Sequence, residues 1–314
     1  PAVMFTSASD FKQQVPLNGQ PTPGAAPETP DIDQALTLIQ GSRRPVVIVG
    51  LEAARRAVTS DLRAFVNRLG APVLCTYMAK GCIADDDPHF AGIFTGGAIE
   101  QAAMDAADLI ILIGLDPVEL IRKPWSYSAP VLDLAERLYD PHYLLPAGRV
   151  IAPLPQSLSA LATTIEGREG RGPEIAELRS GFLRGMESGD GGGLSSTAVV
   201  KAACKAYPDH PRLCVDAGAH MFSACAFWPG REPRDILISN GLASMGFAVP
   251  AAIAAALHEP GRGAIAMTGD GGLLMCLGEF KTAVETKANV TIIVFNDGRL
   301  SLIDIKREDR QMPD

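Results

Sequence analysis

The sequence predicts an α/β protein made of two doubly wound domains with mainly parallel sheets. Two observations carry this. Short apolar runs alternate with amphipathic helical stretches, the pattern of parallel strands joined by helices that cover both sheet faces. The alternation then stops at a glycine-rich interval between Gly167 and Gly193 and starts again beyond it. With 314 residues, 47% of them hydrophobic and 20% charged, the chain is long enough to bury two cores.

Residues 1–30 hold a short extended stretch, Ala2 to Phe5, and then a run rich in Pro, Gly and Gln that reads as an interdomain linker. Asp31 is placed to cap a helix through Gln40, with Ile32, Ala35, Leu36 and Ile39 at helical spacing. Pro45 to Val49 is a buried strand ending at Gly50, and an amphipathic helix follows through Leu69. Further strands are expected at Pro72–Cys75, Leu109–Ile113, Val131–Leu134 and Arg149–Ala152, and a helix from Leu158 to Ile165 closes a first domain over 31–166. Residues 167–193 surround one helical segment, Pro173 to Met186, with glycines and read as a second linker. A second domain over 194–314 begins with a helix at Thr197–Ala206 and a strand at Leu213–Asp216. Ile236–Ser239 is extended, and an alanine-rich helix spans Phe247–His258 with Pro250 tolerated in its first turn. A strand at Ala264–Thr268, a helix at Met275–Ala288 and a strand at Val290–Phe295 follow.

Composition removes several function classes. The net charge of -8, with both signs interspersed, offers no basic surface for nucleic acid or an anionic membrane. The most apolar stretch, Met245 to Leu257, is shorter than the roughly 20 residues that span a bilayer. Six scattered cysteines form no C-x-x-C pair and read as buried thiols; with no secretory signal in the sequence, a cytoplasmic setting is expected. The five histidines form no i, i+4 pair, which argues against zinc.

The chemistry concentrates in Gly269-Asp270-Gly271-Gly272, at the end of one strand, and Asn296-Asp297-Gly298, at the end of the next. Parallel strands expose their carboxyl ends along one edge, where open α/β sheets bind ligands, so Asp270 and Asp297 are expected side by side. The glycines let backbone N–H groups approach an anion, and two carboxylates with a main-chain carbonyl supply half of a Mg²⁺ shell.

Gly269 through Asp297 resembles the cofactor motif of the thiamine-diphosphate enzymes, the superfamily of acetolactate synthase, pyruvate decarboxylase and benzoylformate decarboxylase. The resemblance implies thiamine diphosphate and Mg²⁺ as cofactors, with Asp270, Asp297 and the carbonyl of Arg299 as metal ligands. Asp297 stands where the family more often has asparagine; it remains an oxygen ligand and adds a negative charge. Asp216-Ala217-Gly218-Ala219-His220 resembles the stretch that meets the diphosphate, making Gly218 and His220 cofactor contacts along with Gly269, Gly271 and Gly272. Asn240 to Phe247 resembles the segment that grips the aminopyrimidine, through main-chain groups near Ala243 and Met245. The Met245 side chain would wedge beneath the cofactor, and Ala243 replaces a usual glycine.

Arg44–Gly50, Pro72–Thr76 and Ala107–Gly114 resemble the central domain of acetolactate synthases. Relatives use that domain for FAD or ADP or leave it empty. Here Gly50-Leu51-Glu52-Ala53-Ala54 lacks the G-x-G-x-x-G pattern and Glu52 is poorly placed for a pyrophosphate, so a structural role is expected. By the same resemblance, residues 1–10 are the end of an N-terminal pyrimidine-binding domain that carries the activating glutamate, so no catalytic acid is assigned in this chain. The implied activity is decarboxylation or carboligation of a small 2-oxo acid by a dimer or tetramer completed by that domain. The alternatives are a non-catalytic nucleotide-binding or regulatory module on the same fold, and a nicotinamide-dependent dehydrogenase, which lacks its glycine fingerprint here.

Overall fold

The computed structural model describes residues 31–119, 125–138, 144–187, 193–239 and 241–309. The extended stretch and linker expected over residues 1–30 lie outside the described residues, as does Asn240. Among the described residues no helix is long and apolar enough to cross a membrane.

The first sheet grows from the apolar runs. Its strands are β1 (Pro45–Val49), β2 (Val73–Cys75), β3 (Phe90–Ile93), β4 (Leu109–Ile113), β5 (Val131–Ala135) and β6 (Gly148–Ile151). They pair in parallel in the order β3-β2-β1-β4-β5-β6. Successive strand side chains point to opposite faces. Val47 and Val49 therefore pack with α1 (Ile32–Gly41), α2 (Arg56–Leu69) and α4 (Leu154–Thr164). Val46 and Ile48 pack the other way, with Met104 of α3 (Gln101–Asp105) and Ile175 of α5 (Gly172–Gly185). Asp31 caps α1 through a 2.9 Å bond from the Gln34 N–H, so that helix begins where its cap residue predicts.

One element of this half differs from expectation. β3 has no counterpart in the sequence pattern, because it is short and Gly92 interrupts it with φ +144. That glycine is required by packing: a Cβ there would stand 2.7 Å from the Phe182 ring of α5. The helix expected over Pro173–Met186 is present as α5, and its Ile175 and Phe182 are buried against the sheet.

The second sheet runs β10-β9-β7-β8, all parallel, from β7 (Arg212–Val215), β8 (Ile236–Ile238), β9 (Ala264–Gly269) and β10 (Val290–Phe295). Leu213, Val215, Ile265 and Met267 pack with α6 (Ser196–Ala206) and α7 (His220–Phe227), while Cys214, Ala264 and Ala266 pack under α8 (Ala248–His258). The alanines of α8 let that helix lie close to the strands. The helix expected over 275–288 is present as the shorter α10 (Glu279–Glu285), and a further helix, α9 (Asp270–Met275), precedes it and ends as Cys276 leaves the helical region at φ -132. Leu274, Met275, Leu277, Phe280 and Val284 on this pair are exposed. α11 (Ser301–Asp309) follows β10.

The two halves share packing. Ile93 and Phe182 join the core of the second sheet, and the buried Lys80 reaches across to the carbonyls of Cys225 (2.5 Å) and Ala226 (3.4 Å) at the end of α7. Gly81, at φ +94, passes so near Glu232 that a Cβ would stand 2.2 Å from its carbonyl oxygen.

Candidate functional site

β7 and β9 are neighbours in space, but β8 leaves β7 on one side and β10 leaves β9 on the other. The chain therefore reverses direction across the sheet between β7 and β9, and the crevice outside their carboxyl ends is where ligands of such sheets bind. A cavity of about 920 Å³ opens there. Gly218, His220, Ala243, Met245, Gly269, Asp270, Gly271, Gly272, Asp297 and Arg299 all line it, so every site residue expected from the sequence reaches this one space.

Strand register explains the meeting of the two carboxylates. Phe295 of β10 pairs with Gly269 of β9, so Asp270 and Asn296-Asp297 leave adjacent strand ends together. Asp270 Oδ1 accepts the N–H of Gly271 at 2.8 Å. Asp297 accepts the Arg299 N–H at 3.1 Å and the hydroxyl of Ser301, a turn that opens α11. A carboxylate has about four acceptor positions, so each keeps capacity for a cation. Among the described residues no group of three or more His, Cys, Asp and Glu side chains could hold a metal. A cation here would draw its remaining ligands from main-chain oxygen, water and an anionic ligand, the usual preference of Mg²⁺.

His220 opens α7 and is 7% exposed, its ring stacked on Phe295 with centroids 5.0 Å apart and planes 16° apart. Gly218 allows this placement, since a Cβ there would stand 2.6 Å from the imidazole. Burial pushes the imidazole below the usual histidine range, against the opposing pull of Asp216, the Met267 carbonyl and Asp297. Among the described residues its buried Nε2 has no partner. A buried ring nitrogen without a partner at a cavity wall suits an anionic or polar ligand, because leaving it unpaired is unfavourable.

The loop over residues 241–247 approaches from the other side. Met245 is half-buried, and its Cε lies 3.1 Å from where a Cβ on Gly271 would be. Ala243 is exposed and held at φ +51, the left-handed region where the glycine it replaces would be unstrained.

Sequence reasoning missed what holds this loop. Asp216 is fully buried, and its carboxylate accepts the N–H groups of Gly246 (3.1 Å), Phe247 (2.7 Å) and Ala248 (2.7 Å) and the Thr268 hydroxyl (2.5 Å). It ties β7 and β9 to the start of α8 and so fixes the segment carrying Met245. Ser196 and Ser223, 2.8 Å apart, also line the cavity; nothing in their sequence context marks them.

Comparison with known proteins finds two family models along the chain. Residues 32–130 match the family model described as the thiamine pyrophosphate enzyme central domain, and residues 216–313 match that of its C-terminal TPP binding domain. The chain is 29% identical over 286 residues to an acetolactate synthase of Bacillus subtilis, covering 87% of this chain and 50% of that protein. It is 30% identical over 281 residues to a putative thiamine pyrophosphate-containing protein of the same organism, with 86% and 48% covered. A catabolic acetolactate synthase of Raoultella terrigena is 28% identical over 312 residues, with 94% and 55% covered. The chain thus spans about half the length of the curated relatives it matches.

Proposed function

The chain belongs to the thiamine pyrophosphate enzyme family, and from that premise we propose that it carries the metal- and diphosphate-holding part of an enzyme that decarboxylates a small 2-oxo acid, joins two such molecules, or does both. The observation that supports this most is the convergence of ten motif residues on one cavity, with two carboxylates and the partnerless Nε2 of His220 at its wall. Asp270, Asp297 and the Arg299 carbonyl would hold Mg²⁺. The glycines around Asp270, together with Gly218 and His220, would hold the diphosphate of thiamine diphosphate, and the loop through Ala243 and Met245 the aminopyrimidine. When bound, the cofactor supplies the carbon nucleophile and the electron sink for cleavage beside a keto group.

The protein's own work is to bind and orient. Asp216 fixes the Gly246–Ala248 backbone, so Met245 presents its side chain from a rigid support rather than a free loop. The carboxylate that activates the cofactor would come from a further domain of a neighbouring subunit, making the working unit at least a dimer in the cytoplasm. Two of the relatives named above are acetolactate synthases, which supports an enzyme of that kind over a dehydrogenase or a non-catalytic module.

The decisive experiment is calorimetry of the full-length protein with Mg²⁺ and thiamine diphosphate. Asp270→Ala should abolish Mg²⁺-dependent cofactor binding, and an unchanged affinity would overturn the assignment.

A further inference from the structure

The first sheet has its own crevice. In the order β3-β2-β1-β4-β5-β6 the chain reverses direction across the sheet between β1 and β4, the place where sheets of this order receive a nucleotide diphosphate. Donors suited to an anion are present there: the N–H of Leu51 after β1, the N–H of Asp116 after β4, and the hydroxyl of Thr76 after β2. All three point at one acceptor, the carboxylate of Glu119. Its Oε2 accepts from Leu51 at 2.8 Å and from Asp116 at 3.2 Å, and its Oε1 accepts from Thr76 at 2.5 Å.

The backbone around this carboxylate is closed. Glu52 N–H donates to the Gly114 carbonyl at 2.9 Å, and Gly50 N–H to the Ile113 carbonyl at 2.9 Å. A Cβ on Gly50 would stand 2.8 Å from Glu119 Oε2, and one on Gly114, at φ +63, 2.8 Å from Ala53 N. Gly50 thus lets the chain after β1 lie against the Gly114–Leu115 backbone, 2.6 and 2.4 Å from where its Cβ would be, and beside the Glu119 carboxyl, so the place a nucleotide phosphate takes in such sheets is met by a side chain of the same chain.

We propose that the central crevice is a phosphate-type binding site filled in cis by Glu119, whose carboxyl group takes the place of a nucleotide phosphate on the same donors and excludes one. The closure has a second effect. Glu119 ends the short 3-10 turn Pro117–Glu119, and the neighbouring Val118 lies 2.9 Å, through Cγ2, from where a Cβ on Gly241 would be. Gly241 belongs to the loop that leads to Met245. The filled crevice therefore braces the cofactor loop of the other half, and a nucleotide entering it would displace that brace. The proposal concerns the first sheet and stands apart from the metal and cofactor assignments in the second.

The test is chemical rescue in the full-length protein. Glu119→Ala should lower the thermal midpoint, and sodium formate should restore it in a saturable way, while the wild type and Glu119→Gln show no saturable formate response. A second titration uses ADP on the wild type with the other site saturated by thiamine diphosphate and Mg²⁺, and no ADP binding is expected. This second measurement can overturn the proposal even if Glu119→Ala does not fold. Failure of formate to act on a folded Glu119→Ala, or ADP binding by the saturated wild type, would overturn the proposal.

Discussion

A Cβ on Gly272 would stand 2.2 Å from Oδ2 of Asp216 and 2.7 Å from Oγ1 of Thr268. The third residue of α9 is therefore glycine because a buried carboxylate from another strand occupies the space beside it. Gly272→Ala must push Asp216 away from the N–H groups it holds. The expected loss is on the order of 2–4 kcal/mol, the sum of overpacking and weakened charge-assisted bonds. Urea unfolding would measure it, and calorimetry should show weaker cofactor binding as the Gly246–Ala248 segment is released. Wild-type stability in that variant would mean that Asp216 has room to move.

Ala243 makes the opposite prediction. At φ +51 an alanine is strained by about 1 kcal/mol relative to glycine, and its side chain is exposed. Ala243→Gly should raise stability by up to that amount in thermal unfolding. A loss of stability would show that the methyl group packs usefully.

Met245→Ala separates holding a cofactor from positioning it. The proposed metal ligands follow the ends of β9 and β10 and would be untouched, so cofactor affinity should change little. kcat should fall by more than affinity does, because the wedge sets geometry rather than anchoring charge. Steady-state kinetics on the full-length enzyme would decide it, and an unchanged kcat would assign Met245 to packing alone.

Lys80 joins the two halves. Its buried ammonium donates to the Cys225 and Ala226 carbonyls and pairs with Asp85 at 2.9 Å. Burial already pushes Asp85 upward, and Lys80 is the main group holding it down. Lys80→Met keeps the apolar stem and leaves Asp85 buried without its cation, so a loss of about 3–5 kcal/mol is expected. Unfolding should also become less cooperative as the halves uncouple. A single transition at the wild-type midpoint would contradict this.

Glu119 predicts a pH dependence. Burial pushes its carboxyl from 4.5 up to about 7, against the pull of Thr76 and the two N–H donors. Because the native state keeps this proton where the unfolded chain has released it, the contribution is complete below about pH 4.5 and is lost as pH rises through about 7. Glu119→Gln does not titrate. Its stability relative to wild type should therefore rise between those limits and level off above them, as urea unfolding across that range would show.

How much of this was legible in the sequence varied with the kind of contact involved. β1 and β4 read clearly because both their faces are buried, which leaves an unbroken apolar run. β3 did not, since Gly92 serves the Phe182 ring, a partner far along the chain. α7 was missed because its eight residues are apolar on most sides and show no stripe. At the candidate site, the motif glycines and aspartates follow strand ends directly and could be placed from local pattern. The clasp of Asp216 on residues 246–248 and that of Glu119 on Leu51 and Thr76 join segments separated by whole strands and helices. Such bonds leave no periodic trace in either segment.

The outer edge of β10 bears on how this polypeptide would behave in a tube. Among the described residues β10 pairs only with β9, so one row of its N–H and C=O groups has no ladder, and Val294 is exposed beside it. An open strand of six mostly apolar residues is a template for another strand of the same kind. Prepared alone at high concentration, residues 1–314 would be expected to pair edge to edge. Light scattering would then rise steeply with concentration, and a single lysine placed at Val294 should suppress it.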